Sequence, residues 1–285
     1  MSSVSFSYVD SALAHMEAGG EPPPFWRHFH WGLFDDPARP DDSPERYFTA
    51  AEAMTDRVVE AAGVADGTHV LDVGCGFGGT LDHLRSRRPG CRLVGLNIDE
   101  RQVSWANRLV DPGISFVTAD GCRLPVADGS LDHVLAVECI FHFPSRKAFF
   151  VEVARVLKPG GTLALSDFLM APGALAAVAE TMASSAAGVG EDSWYGHMAK
   201  PLTPSGYERL ARRTGLEPLT DDDVNRRTLP TYAALRRLAS EDSSSDGVSS
   251  IDGIEALATT GDLAYHVLAF QKPEIASENP RIAAG

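Results

Sequence analysis

A largely parallel β-sheet covered by helices on both faces is the fold class that the sequence predicts, and three observations carry that reading. From Gly67 onward, short apolar runs rich in β-branched residues alternate with segments of helical character, as in chained β-α-β units. One of these runs, Val70-Leu71-Asp72-Val73, empties directly into a glycine-rich turn that opens a helix. The chain has 285 residues and is 44% hydrophobic, enough to bury a core on each side of a sheet.

Residues 1–48 mix polar and aromatic groups, and Pro22–Pro44 is punctuated by Pro, Gly and Asp. Loops and short helices are expected there, as a cap preceding a main domain at 49–273. Thr49–Ala62 reads as a helix. Strands are predicted at His69–Val73, Arg92–Leu96, Ile114–Thr118, His133–Val137 and Thr162–Phe168, with helices at Gly79–Arg87, Glu100–Leu109 and Arg146–Leu157 between them. Lys158-Pro159-Gly160-Gly161 should stop the last of these helices, because Pro cannot continue it and Gly permits the turn. Residues 172–190 are rich in alanine and read as helical. Within 172–262, insertions and loops are expected, with the Ser/Asp run 240–250 as a mobile loop. Tyr265–Lys272 reads as a late strand and 274–285 as a flexible tail.

Charge narrows the function. The formal net charge of −14 would repel a phosphate backbone, and basic residues come only as scattered pairs such as Arg87–Arg88, Arg212–Arg213 and Arg236–Arg237, so nucleic acid is not an expected partner. The N-terminus lacks a basic start followed by an apolar run, and no stretch approaches the roughly 20 apolar residues of a membrane span. A cytoplasmic protein with no membrane partner is expected. Cys75, Cys91, Cys122 and Cys139 have neither zinc-site pairing nor the density of a disulfide scaffold, so four reduced thiols are expected.

The strongest local signal is Val70-Leu71-Asp72-Val73-Gly74-Cys75-Gly76-Phe77-Gly78-Gly79. Gly74, Gly76 and Gly79 satisfy G-x-G-x-x-G, the pattern of a dinucleotide turn. Asp72 decides against that ligand, because a carboxylate just before the glycines would repel a pyrophosphate in a low-dielectric crevice. A cation suits the position better. S-adenosylmethionine carries an ammonium and a sulfonium and no phosphate, so the glycines would let its methionine part lie close to backbone beside Asp72. The second strand should end near the ribose, at Asn97-Ile98-Asp99. Asn97 can donate and accept to hydroxyls there, Asp99 can instead cap the following helix, and Ile98 can pack on the adenine face. Asp120, before Gly121 at the end of the third strand, can accept from the adenine amino group or simply fix its turn.

Taken together, VLDVGCGFGG, LVGLNIDERQVSWA, FVTADGCRLPVADGSLDHVLAVE and VARVLKPGGTLALSDF resemble, in order and spacing, the class I S-adenosylmethionine-dependent methyltransferases, over roughly residues 49–170. Within that superfamily the chain looks like bacterial natural-product enzymes, sugar O-methyltransferases among them. The resemblance implies a Rossmann-like, seven-stranded, mostly parallel sheet with the last strand antiparallel, supplied by Tyr265–Lys272. It implies that Asp72, Gly74 and Gly76 meet the methionine part and that Asp120 meets adenine. Asn97 departs from the carboxylate most relatives carry, so Gln102 is expected to help hold the ribose. The full expected cofactor set is Asp72, Gly74, Cys75, Gly76, Asn97, Ile98, Gln102, Asp120, Gly121 and Glu138. His30-Trp31-Gly32-Leu33-Phe34 resembles an aromatic-glycine segment that in the family belongs to a mobile lid.

Acceptor chemistry should come from residues just past the fourth and fifth strands, Glu138-Cys139-Ile140-Phe141-His142-Phe143 and Ser166-Asp167-Phe168. The Asn-Pro-Pro-aromatic run of enzymes that methylate amide and adenine nitrogens is absent. His142 coincides with a histidine that resembles the candidate base of many small-molecule O-methyltransferases, and Asp167 is expected to orient it or to bind the acceptor. His30, Trp31, Tyr195 and His197, with His28, could close the pocket, and Phe25, Trp26, Phe34, Met182, Trp194 and Tyr232 add apolar stock. No metal site is expected from these scattered histidines. The expected activity is methyl transfer from S-adenosylmethionine to a hydroxyl of a small-molecule secondary metabolite. C- or N-methylation, a cyclase that keeps the cofactor as structure, and an NAD-dependent oxidoreductase, which Asp72 opposes, are the alternatives. A homo-oligomer is left open.

Overall fold

A computed structural model describes residues 7–20, 27–39, 43–184, 199–241 and 245–274. Seven strands form one sheet: β1 His69–Val73, β2 Arg92–Asn97, β3 Ser115–Thr118, β4 Leu131–Val137, β5 Leu157–Met170, β6 Glu217–Asp223 and β7 Leu263–Gln271. Their order is β3-β2-β1-β4-β5-β7-β6. The first five strands pair in parallel, and β7 runs antiparallel to both β5 and β6. The expected seven strands with the last one reversed are therefore present.

Alternation along the central strands builds two cores. Val70, Leu135 and Ala164 point to one face, where α2 (Pro44–Ala62), α3 (Gly79–Arg87), α9 (Thr231–Glu241) and α10 (Ser245–Thr260) cover them. Leu71, Val134 and Leu163 point to the other, under α5 (Arg146–Val156) and α7 (Pro204–Arg213). Of the remaining described helices, α1 (Ser7–Glu17) precedes the sheet, α4 (Glu100–Leu109) follows β2, α6 (Leu175–Ser184) follows β5 and the short α8 (Asn225–Thr228) follows β6. Local chemistry sets helix starts: Ser43 caps α2 by accepting from Arg46 N–H with Pro44 at the first position, Asp99 caps α4 through Arg101 N–H, and Ser145 caps α5 through Ala148 N–H.

Four expectations need correction. The domain boundary at 49 falls inside α2, whose first turn begins at Pro44. β5 starts at Leu157, so the Lys158–Gly161 stretch lies in the strand rather than in a separate turn. The acidic segment Glu217–Asp223 is an edge strand that the sequence reading passed over. Among the described residues it pairs only with β7, and its Pro218 and aspartates suit an edge, where Asp222 meets Arg57 Nε at 2.7 Å and Asp221 meets His266 Nδ1 at 2.6 Å. Finally, 245–260 is helical rather than a loop, because Ile251, Ile254, Leu257 and Ala258 recur at helical spacing and pack on the core. Residues 185–198 and 275–285, which include Tyr195, His197 and nearly all of the expected tail, lie outside the described residues. No described helix is long and apolar enough to cross a membrane.

Candidate active site

The strand order locates the site. Connections leave β1 toward β2 and leave β4 toward β5, in opposite directions, so a crevice opens where the C-terminal ends of β1 and β4 adjoin. The glycine turn after β1, the residues after β2 and a 3-10 helical turn at Ile140–His142 after β4 surround it.

These segments are in contact. The N–H groups of Gly74 and Cys75 both donate to Leu96 O, at 2.8 and 3.1 Å, seating the turn on the end of β2. Gly74 has φ +77°, and a Cβ there would come within 2.5 Å of the Cys139 Cβ, so only glycine lets the turn lie against the segment after β4. Cys139 Sγ in turn donates to Val73 O at 3.0 Å. Gly76, at φ +53°, is different: among the described residues a Cβ there would meet nothing closer than 3.9 Å, the nearest atoms being Gln102 Nε2 and Phe29 Cδ2. The turn is thus packed underneath and open above, a cradle with space at Gly76.

Asp72 is the electrostatic centre of the turn. It is 1% exposed, and among the described residues its Oδ2 has no hydrogen-bond partner. Burial pushes its pKa up to about 8. A buried acceptor of this kind is costly unless a donor or a cation arrives. The ammonium and sulfonium of S-adenosylmethionine fit this position, and a pyrophosphate does not. Burial, with Asp72 nearby, also pushes up the thiols of Cys75 and Cys139, so both are neutral packing groups.

At the end of β2, Asn97 Nδ2 donates to Gln102 Oε1 at 3.1 Å, which leaves the Gln102 amide nitrogen turned toward Gly76. Asp99 is spent as a cap and in a pair with Arg101 at 2.7 Å, so of its two readings the cap is the one the structure holds. Ile98 is 48% exposed, an apolar side chain held in solvent beside the crevice. Gly121 is buried against Val73 and Phe143. Asp120 is exposed and its Oδ1 accepts from Cys122 N–H at 2.8 Å, a turn-fixing contact.

His142 ends the 3-10 turn after β4, half-buried, with its ring 4.4 Å from that of Phe141. Phe141 and Phe168 approach at 6.2 Å, and Ala199 N–H donates to Phe141 O at 2.6 Å, pinning the turn to the chain that follows 185–198.

Two expected site residues are committed elsewhere. Both oxygens of Asp167 have protein partners other than His142: Oδ1 accepts from Phe168 N–H at 2.8 Å, while Oδ2 accepts from the Tyr207 hydroxyl and pairs with Arg146 Nη2 at 3.2 Å. Burial pushes its pKa up against the pull of Arg146. Arg146 also donates to Lys200 O at 3.0 Å. The group therefore ties β5, α5 and α7 together, with each Asp167 oxygen already accepting from one of its members or from Phe168 N–H. Glu138, expected on the cofactor, accepts from Trp31 N–H at 2.7 Å and Tyr265 OH at 2.5 Å.

The segment expected as a lid is stitched into the core. Tyr47 OH donates to His28 O and His30 O, at 3.0 and 2.5 Å. Gly32 N–H donates to Thr231 Oγ1 and Leu33 N–H to Ala50 O. The Trp31 ring packs among Phe168, Tyr232 and Tyr265 at 5.1–6.1 Å. His30 is buried, with Nδ1 on Trp31 O and Nε2 near His28 and Thr55, and burial lowers its pKa to about 4. Such a histidine is neutral and structural rather than a substrate ligand. Phe34 and Tyr232 are likewise core residues. What covers the glycine turn is Phe29, 5.5 Å from Phe77, together with α1, whose Val9, Leu13 and Met16 pack on Phe77. Sequence reasoning missed Phe29, Arg146, Tyr207 and Tyr265. Arg146 carried a signal, since a cation in the first turn of a helix opposes the dipole and calls for a buried partner.

A methyltransferase-domain family model matches residues 71–165. The methyltransferase GfsG of Streptomyces halstedii is 34% identical over 217 residues, which cover 74% of this chain and 73% of that protein. The 27-O-demethylrifamycin SV methyltransferase of Amycolatopsis mediterranei is 33% identical, over 67% of this chain and 70% of its own. Among solved structures, the [4+2]-cyclase SpnF superposes with a TM-score of 0.70 over 94% of each chain at 22% identity, a likeness of fold. With the orphaned Asp72 beneath an open glycine cradle and these relatives over most of its length, the chain belongs to the class I S-adenosylmethionine-dependent methyltransferases.

Proposed function

We propose that the chain methylates a hydroxyl of a small-molecule secondary metabolite, with His142 as the base. The observation that carries this reading is the place of His142: past the C-terminal end of β4, across the crevice mouth from the glycine turn, and beside the ring of Phe141, which in turn approaches Phe168. S-adenosylmethionine supplies an electrophilic methyl group on a sulfonium, open to in-line displacement. The protein's own work is then to align donor and acceptor and to take a proton from a neutral alcohol. Asp72, Gly74 and Gly76 would hold the methionine part, Gln102 with Asn97 the ribose, and Ile98 the adenine face. His142 would accept the hydroxyl proton at a ring nitrogen. The four free cysteines favour a cytoplasmic site of action.

The test is to give purified protein S-adenosylmethionine with an isotopically labelled methyl group and an extract of the cells that encode it. S-adenosylhomocysteine should appear with a labelled product whose methyl carbon has the chemical shift of an ether. A label on nitrogen or carbon would overturn the hydroxyl reading, and no label in any product would overturn transfer.

The ribose contact gives a separate prediction. Asn97→Ala frees Gln102 from its partner, so S-adenosylhomocysteine affinity should fall by about 0.5–1.5 kcal/mol, the worth of one hydrogen bond. Asn97→Asp should keep or tighten binding, because a carboxylate accepts from two ribose hydroxyls and, once the Gln102 amide turns over, from that amide as well. Calorimetry reads both, and parental affinity in the alanine variant would place the ribose contact elsewhere.

A further inference from the structure

Glu138 is the only non-glycine among the described residues with a left-handed backbone, at φ +50°. Such a conformation persists only where the surroundings over-determine it, and it is found at functional sites. Here the surroundings form a ring of hydrogen bonds that begins and ends on the same residue. Glu138 N–H donates to Ser166 Oγ at 3.1 Å, the Ser166 and Tyr265 hydroxyls lie 3.0 Å apart, and Tyr265 OH donates to Glu138 Oε2 at 2.5 Å. Tyr265 has one proton; given to Glu138, it leaves Ser166 to donate to Tyr265, and every member is satisfied. The same Oε2 accepts Trp31 N–H. Two distant parts of the site therefore converge on this side chain. Its backbone sets the direction in which Cys139 and the His142 turn leave β4. Its carboxylate holds the segment that carries Phe29 over the glycine turn and pairs Arg27 with Asp82 on α3.

We propose that Glu138 is a positioning residue for methyl transfer: its carboxylate latches the Trp31 segment over the cofactor end of the crevice, while its left-handed backbone aims the turn that carries His142. The proposal rests on the reading of the glycine turn and His142 given above. It makes the carboxylate important as an acceptor of two hydrogen bonds, not as a charge that reacts.

Variants of the full chain separate these roles. Glu138→Gln keeps an oxygen for Trp31 N–H and Tyr265 OH, Glu138→Ala removes it, and Tyr265→Phe deletes only one hydroxyl. Three readouts apply: S-adenosylhomocysteine affinity by calorimetry, the rate of tryptic cleavage after Arg27, and kcat with KM for S-adenosylmethionine. Glu138→Ala should weaken binding, speed cleavage and cost about a hundredfold in kcat/KM, the scale of an ångström of misplacement. Glu138→Gln should restore most of all three, and Tyr265→Phe should fall between. A glutamine variant as impaired as the alanine variant would overturn the proposal, because the charge itself would then be at work. Parental affinity and cleavage in Glu138→Ala would overturn it as well. Should the alanine variant fail to fold, Tyr265→Phe decides: parental values for every readout reject the latch. A parent that binds S-adenosylhomocysteine without methylating any acceptor would sink the transfer reading, while affinity and cleavage still test the latch.

Discussion

His142→Ala is expected to lower turnover about a hundredfold or more, the usual contribution of a well-placed general base, with S-adenosylhomocysteine affinity almost unchanged. The split follows from position. The cofactor cradle is built from β1 and the end of β2, where Gly74 and Cys75 hang on Leu96 O and Gln102 faces Gly76. His142 stands on the other wall, past β4, and backbone bonds hold its turn, His142 N–H to Cys139 O and Ala199 N–H to Phe141 O. Removing the imidazole leaves those bonds and the Phe141 ring in place. His142→Asn is the sharper variant, since an amide can still hydrogen-bond to the acceptor but cannot take its proton. Near-parental turnover in either variant would remove His142 as the base. With Asp167 locked to Arg146, Tyr207 and Phe168 N–H, that result would favour a nitrogen or carbon acceptor that needs no strong base.

Residues whose partners are local in sequence were the legible ones. The Val70–Val73 run, the glycines after it and the cap at Asp99 are set by neighbours within a few positions, and the strand starting at His69 and the helix at Gly79–Arg87 appear as read. Asp72 could be singled out because a lone carboxylate in an apolar strand is unusual wherever the strand goes. β6 was hidden because its sequence, Glu-Pro-Leu-Thr-Asp-Asp-Asp, has the wrong propensities for a strand. It becomes one only because β7 offers an edge 40 or more residues further along the chain. Glu138 and Asp167 show the same limit at the site. That Glu138 follows β4 was readable, whereas Asp167 falls inside β5, which runs on to Met170, and the direction of each carboxylate was decided by Trp31, Tyr265, Arg146 and Tyr207, which come from separate elements. Sequence spacing places a backbone at the crevice; long-range partners decide whether its side chain faces the ligand.

Asp72→Asn should weaken S-adenosylhomocysteine binding by about 1–3 kcal/mol, the scale of a hydrogen bond to a charged group. It should also abolish a pH dependence that the parent shows. In the unliganded protein burial raises the Asp72 pKa to about 8, so at pH 7 the buried carboxyl holds its proton. The ligand brings an ammonium, which favours the ionised carboxylate and lowers that pKa, so binding expels a proton. The sign is fixed by this step: affinity should rise with pH below about 8, approaching tenfold per unit, and level off above it, until the ligand's own amine begins to lose its charge. Titration calorimetry at pH 7 in two buffers of different ionisation heat should show close to one proton released per ligand bound. The asparagine variant, having nothing to release at this site, should show the same binding heat in both buffers. Methionine-free 5′-methylthioadenosine is the internal control, because it lacks the ammonium and should bind parent and variant alike. Buffer-independent heat in the parent, or an unchanged affinity in Asp72→Asn, would mean that the cation sits beyond the reach of this carboxylate and that the glycine turn selects its ligand by shape alone.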